Sequence, residues 1–364
     1  MLLFNLFIFI NLYDIFVMNI LNINSEDTCG ISKMLCDAVN QNTRHNAKCV
    51  IRHLNTREYP YEYLWGANLD EAGLRDLCDW ADVLHFNIFP PSVKMGNVDF
   101  KDYVNDGKKV IMQFHGTVFR RNTSIRKEVE DMGFKTLVTM PIMFGLLDDE
   151  ACRTEWLPFP IPTDDPRFMP IPVEDKFPQF AIAHAPGEIH RWEIKDTDAI
   201  SDVVNKEGST LYNPDLKQLD TDYLLKTVGV INAKEGKYMR LMLMTDTPWE
   251  KCLWIKQRCH IGFDHLQGYY GVNTAEFCSM GIPSICQLNK EYYDAAEERY
   301  GKELPFVISD RVILEDTISM LKEDDELRRE IGVESRNYAV KVHDLDSVVL
   351  PQLIHAYKEV IRSG

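Results

Sequence analysis

The 364-residue chain carries 56 acidic against 40 basic side chains, a formal charge of −16, with 45% hydrophobic and 26% charged residues. These proportions belong to a globular protein long enough for two cores of about 150 residues each. The lack of a Lys/Arg-rich block to offset the acid argues against a reader of phosphate backbones, and no nucleic-acid partner is expected, although local positive charge could still serve a small anionic ligand.

In chain order, the opening run MLLFNLFIFINLYDIFVM is apolar, lacks a basic leader and contains Asp14. It is short for a spanning helix, which needs about 20 apolar residues. Residues 1–17 therefore read as an extension from a mis-assigned start, with a membrane anchor or signal as the alternative. From Met18 onward short apolar strands alternate with helical stretches. Strands are expected at 19–24, 47–53, 82–87, 108–114, 135–140 and 155–160, with helices at 29–41, 69–79 and 124–132. Several of these strands are continuous apolar runs, as in a sheet covered on both faces.

Ile161–Pro178 holds five prolines and reads as an irregular connection. A second series follows, with strands at 180–185, 209–213, 239–244, 260–264, 283–288 and 305–308. Helices are expected near 196–206, 218–229, 248–257, 274–280 and 291–299, then at 311–322, 325–343 and 346–361. This gives a first domain over 18–165, a linker over 166–178, a second domain over 179–345 and a terminal helix in 346–364. Two α/β domains around a cleft place ligands at the carboxyl ends of the strands.

The nine cysteines are scattered, without a CxxC pair, which fits buried thiols in a reducing, cytoplasmic setting and gives no metal site. Neither GxxxxGK[ST] nor a GxGxxG after the first strand occurs, which argues against ATPase and dinucleotide-oxidoreductase readings.

Candidate chemistry concentrates in three segments. In GFDHLQGYYGVNTAEFCSMGIPSICQL (262–288) a strand ends near Asp264, a glycine-containing loop follows, and a helix opens near Asn273 with N–H groups suited to diphosphate oxygens. The same residues also read as a capping box, with Asn273 as N-cap and Glu276 at N3. In AIAHAPGEIHRWEIKDTDAI (181–200), Arg191 and Lys195 follow a strand end. They serve either as solvated surface charges or to neutralise a leaving phosphate. In KKVIMQFHGTVFRRN (108–122), His115 and Gly116 end a buried strand, where a histidine could line a sugar or simply be a satisfied loop residue. Arg120 and Arg121 are weaker candidates for acceptor or phosphate contact. Gly30, in the first strand–helix turn, permits close approach of backbone to ligand.

The pattern GYYGVNTAEFCSMGIPSI closely resembles the nucleotide-binding end of glycosyltransferase family 4, and HAP…R…K with the HG element strengthens the likeness over nearly the whole chain from Met18. The resemblance implies the GT-B fold: two Rossmann-like domains facing a central cleft, with a C-terminal helix returning to the first domain. It implies retaining transfer of a sugar from a nucleoside diphosphate sugar to a hydroxyl of a glycan, lipid or small molecule, as in polysaccharide biosynthesis, with no further cofactor and no metal. Under it, donor contacts fall to Gly30, Gly271, Val272, Asn273 and Thr274. Glu276 would bind the ribose hydroxyls, Arg191 and Lys195 the diphosphate, and His115 the sugar side. Two departures stand out: Gly268 replaces the first glutamate of the family's E-x7-E, and Asp196 replaces the glycine after the lysine. They keep two alternatives open, a GT-B-like sugar-nucleotide epimerase and a non-catalytic sugar-nucleotide binder. The acidic surface does not suggest adhesion to anionic lipid, although peripheral membrane association stays open, as does the oligomeric state.

Overall fold

The computed structural model of the chain describes residues 16–54, 59–116, 123–143, 147, 152–186, 214–235, 239–245 and 247–363. Its first half builds β1 (Asn19–Asn24), α1 (Ile31–Asn42), β2 (Asn46–Ile51), β3 (Tyr63–Leu64), α2 (Glu71–Trp80), β4 (Val83–Asn87), α3 (Phe100–Asn105), β5 (Lys109–Phe114), α4 (Thr123–Met132), β6 (Lys135–Val138) and β7 (Glu155–Trp156). The strands form a parallel sheet in the order β3-β2-β1-β4-β5-β6-β7. β1, β4 and β5 are buried on nearly every residue, so both faces are covered.

The expected run 155–160 yields only the two residues of β7. Pro158, Pro160 and Pro162 lack the N–H that would extend the ladder. Two elements carry no periodic signal and appear only in the structure. β3 is two residues long, and α3 is a single short helix capped by Asp99, whose side chain accepts from Lys101 N at 3.1 Å.

The second half builds β8 (Ala181–His184), α5 (Pro214–Glu235), β9 (Arg240–Leu243), α6 (Trp249–Arg258), β10 (Ile261–Phe263), α7 (Val272–Ser279), β11 (Ser284–Cys286), α8 (Lys290–Tyr300), β12 (Val307–Ile308), α9 (Leu314–Glu323) and α10 (Asp325–Tyr338). Its parallel sheet runs β12-β11-β10-β8-β9. The helix expected at 196–206 and the strand at 209–213 lie outside the described residues. Among the described residues no helix is long and apolar enough to cross a membrane, and the cysteines form no disulfide.

The chain then returns to the first sheet. Two short π-type segments, Ala339–His343 and Leu345–Val349, meet at Asp344, whose carboxylate accepts from Ser347 N at 2.8 Å and Ser347 Oγ at 2.6 Å. Here the strand-like Ile161 crosses it: Ile161 N donates to His343 O and Leu345 N to Ile161 O, each at 2.9 Å. Helix α11 (Leu350–Arg362) follows and lies on the first sheet. Its Tyr357 hydroxyl is 2.8 Å from His85 Nδ1, and its Glu359 is 2.9 Å from Lys135 Nζ. One apolar cluster spans residues of both halves, as this docking requires, and a second lies within the second half.

Candidate functional site

The second sheet ends in a tightly bonded loop. Asp264, buried beyond β10, accepts from Gly271 N at 2.6 Å and Thr274 Oγ1 at 3.0 Å, folding 264–271 back onto the start of α7. Thr274 is in turn 3.1 Å from Ser284 Oγ on β11. A second buried carboxylate, Asp220 on α5, receives Leu266 N at 2.9 Å and Arg311 at 2.8 Å. Within this loop Gly268 sits at φ +82°, a left-handed conformation that a glutamate adopts only with strain.

α7 opens without a side-chain cap. Its N-cap is Gly271, in extended conformation. This corrects the capping-box reading: Asn273 is the second helical residue, and its amide instead donates to Ala185 O at 2.9 Å and accepts from Lys256 Nζ at 2.6 Å. The cap position has passed to Gly271 because Asp264 takes that residue's N–H. Gly271, Val272 and Asn273 are half-buried, so an uncapped helix N-terminus lies beside partly accessible backbone. Glu276, one turn on, is buried and ion-paired to Lys256 Nζ; the side chains keep 6% and 1% exposure.

Lys256 escaped the sequence reading, although a signal existed. On α6 it shares the buried face with Cys252, Leu253 and Gln257, and a lysine on the apolar face of an amphipathic helix calls for a buried anion. The other end of α6 meets the first half of the chain, where the Trp249 ring lies 5.2 Å from Tyr59. One helix thus touches both halves.

On the side of the first sheet, Asp27 accepts from Ser32 N (2.9 Å) and Lys33 N (3.0 Å) at the start of α1, and burial raises its pKa to about 6. Gly30 follows at φ +70°, and a Cβ there would come within 2.3 Å of the Tyr59 ring. The glycine's freedom is used to admit Tyr59 over the turn. At the end of β5, His115 Nε2 is 3.0 Å from Asn87 Oδ1, and burial lowers its pKa to about 3, so the ring is neutral.

The expected donor residues Gly271, Val272, Asn273, Thr274 and Glu276 therefore share one helical start, while Gly30 and His115 lie at strand ends of the other sheet. Arg191 and Lys195, with Arg120 and Arg121, lie outside the described residues. Among the described residues no group of three or more His, Cys, Asp or Glu side chains could hold a metal ion.

No protein-family model and no curated protein sequence matches the chain. Solved structures do. An alpha-glucosyltransferase in complex with UDP and DNA aligns over 94% of this chain and 99% of its own, with TM-score 0.60 at 12% identity. The Anabaena protein HepE in complex with UDP and glucose aligns over 94% of this chain and all of its own, with TM-score 0.55 at 12% identity. The fold is GT-B. A Listeria monocytogenes protein described as a UDP-N-acetylglucosamine 2-epimerase is also similar, with TM-score 0.52 at 10% identity over 96% of this chain and 98% of its own.

Proposed function

We propose that the protein is a retaining glycosyltransferase that moves a sugar from a nucleoside diphosphate sugar to an acceptor hydroxyl. The observation that carries this reading is the uncapped start of α7 with Glu276 held in place beside it by Lys256. Helix-terminal N–H groups suit diphosphate oxygens, and an oriented carboxylate suits a ribose diol. Arg191 and Lys195 complete the phosphate site and take up the charge of the departing diphosphate, so no metal is needed. His115 lines the sugar side. Domain limits near 165 and 179, with helix α11 bracing the two halves, fit closure of the cleft around the donor.

Uridine diphosphate is the first donor base to test, because the alpha-glucosyltransferase and HepE were both solved with UDP. A cytoplasmic enzyme of polysaccharide or glycoconjugate synthesis is the corresponding biological setting. The epimerase reading draws on the Listeria relative. It predicts interconversion of free UDP-sugars with no acceptor present, whereas transfer releases UDP only as acceptor is consumed.

The test is a panel of UDP and UDP-sugars read by thermal stabilisation, followed by UDP release with sugar and lipid acceptors. A ligand at 100 times its Kd should stabilise by about 2.7 kcal/mol. Lys195→Ala should remove both stabilisation and turnover while the protein stays folded, and Glu276→Gln, which keeps an oxygen for the buried Lys256, should weaken both. Full transfer in both variants would mean the donor site lies elsewhere.

A further inference from the structure

The first sheet buries a row of polar side chains to which no role has been given, Asn22 and Asn24 on β1, His85 and Asn87 on β4, and Gln113 on β5, and His115 lies just beyond it. In register, Asn22 faces His85, Asn24 faces Asn87, and Asn87 faces Gln113. All therefore project from one face of the sheet. Burying this many polar groups is costly unless they pair with one another. His85 Nε2 and both polar atoms of the Gln113 side chain have no hydrogen-bond partner among the described residues, but the bonds from Asn24 to His115 form a chain whose direction can be followed.

The direction is set by one atom that can only accept, the carbonyl oxygen of Val50. It faces the Asn24 side-chain nitrogen at 3.5 Å, so Asn24 presents its NH2 on this side. The same NH2 donates to Asn22 Oδ1 at 2.9 Å. Asn22 Oδ1 also receives Asn87 Nδ2 at 2.6 Å. Asn87 is left with its oxygen toward His115 Nε2, 3.0 Å away. An amide oxygen cannot donate, so His115 Nε2 carries the proton. Reversing any amide in the chain would oppose two oxygens or two NH2 groups.

The other branch agrees. Asn22 Nδ2 and the Tyr357 hydroxyl of α11 approach His85 Nδ1 at 3.5 and 2.8 Å, so that with Asn22 donating, Nδ1 is the accepting nitrogen, while His85 Nε2 has no hydrogen-bond partner among the described residues. Both rings are neutral, since burial lowers each pKa to about 3, and at His85 the neighbouring His115 lowers it further. Neutral His115 with a proton on Nε2 has a lone pair on Nδ1. That nitrogen is shielded and has no partner among the described residues.

We propose that Asn87 is a positioning residue that holds His115 as the neutral Nε2–H tautomer, so that Nδ1 accepts a hydrogen bond from a substrate hydroxyl or other neutral donor and excludes an anionic oxygen. The identity of that donor as a sugar hydroxyl rests on the glycosyltransferase reading; the tautomer does not. A lone pair facing a phosphate or carboxylate oxygen is repulsive, so the anionic part of any ligand is directed away from this strand end. Tyr357 anchors the far end of the row, which makes the returning helix part of the support of His115.

The test is an imidazole nitrogen NMR spectrum of the full chain labelled at histidine, with the His115 signals assigned by their loss in His115→Gln. At pH 7 the expected pattern is an unprotonated Nδ1 and a protonated Nε2; a protonated Nδ1, in either the other tautomer or an imidazolium, overturns the proposal. Asn87→Leu keeps the volume and removes the oxygen that accepts the Nε2 proton, so the Nε2–H preference should weaken and a protonated Nδ1 should appear at pH 7. With the Nδ1 lone pair partly lost, kcat should fall about tenfold, the scale of one hydrogen bond, while UDP affinity stays within about threefold. An Asn87→Leu spectrum identical to the parent's would also overturn the proposal. Failure of the parent protein to bind UDP would instead sink the donor reading, leaving the tautomer result standing.

Discussion

Replacing Lys256 by methionine isolates the interaction that orients Glu276. Methionine approximates the lysine stem in volume but removes the charge and the three donors. Both side chains of the pair are almost wholly enclosed, at 1% and 6% exposure, and Lys256 Nζ also serves Asn273 Oδ1 at 2.6 Å. The variant therefore leaves a buried carboxylate without its cation and an amide oxygen without its donor. Breaking a buried pair from one side costs about 3–5 kcal/mol. For a domain of this size that lowers Tm by roughly 10 °C. Lys256→Met/Glu276→Leu removes both charges and should recover most of the loss, since an apolar pair of similar volume is about neutral against a buried ion pair. Denaturant titration and calorimetry of the parent, both single variants and the double variant would measure the coupling. A Lys256→Met penalty below about 1 kcal/mol, or a double variant no more stable than the single, would refute the argument that Glu276 depends on this lysine.

Gly30→Ala adds a Cβ within 2.3 Å of the Tyr59 ring at φ +70°. It should destabilise by about 2–3 kcal/mol in urea titration, falling to about 1–2 kcal/mol in a Tyr59→Ala background, where only the backbone strain remains. Gly268→Glu restores the glutamate of the family 4 pattern at φ +82°, with its Cβ in ordinary contact 3.5 Å from Asn289. It should lose about 1–2 kcal/mol by thermal denaturation and gain no turnover. Acid should destabilise the protein well above the usual carboxylate range. Burial lowers His85 and His343 from 6.5 to about 3, so the folded state binds fewer protons and stability declines from pH 6.5 down towards 3. At pH 5 each contributes a loss of about 2 kcal/mol, which Asp27, raised to about 6, offsets by about 1 kcal/mol. Stability that is flat or rising between pH 7 and 5 in equilibrium denaturation would contradict this.

The alternation of elements was legible because it depends on local periodicity. β1 occupies 19–24 as expected, α2 and α6 fall within two residues of the expected 69–79 and 248–257, and the break between the last two helices falls at Asp344. Boundaries moved where a single local preference met a tertiary one. Asn273 is a good N-cap residue by type, yet Asp264, seven residues before Gly271, decides where α7 begins. β3 and α3 are too short for periodicity to reveal.

What the chain determined by itself is the α/β order, the proline-rich crossover and the helix opening near 272, since propensity, turn chemistry and apolar runs act over a few neighbours. Tertiary structure alone decided which polar groups meet. Lys256 finds Glu276 across 20 residues, Tyr59 finds Trp249 across 190, and His85 finds Tyr357 across 272. Each depends on strand order and helix docking, and a buried charge or amide gains its partner only after the fold has brought distant elements together. Asn22, Asn24, Asn87 and His115 are scattered residues along the chain. Side by side on one sheet face, with the Val50 carbonyl as reference, they specify where a proton sits.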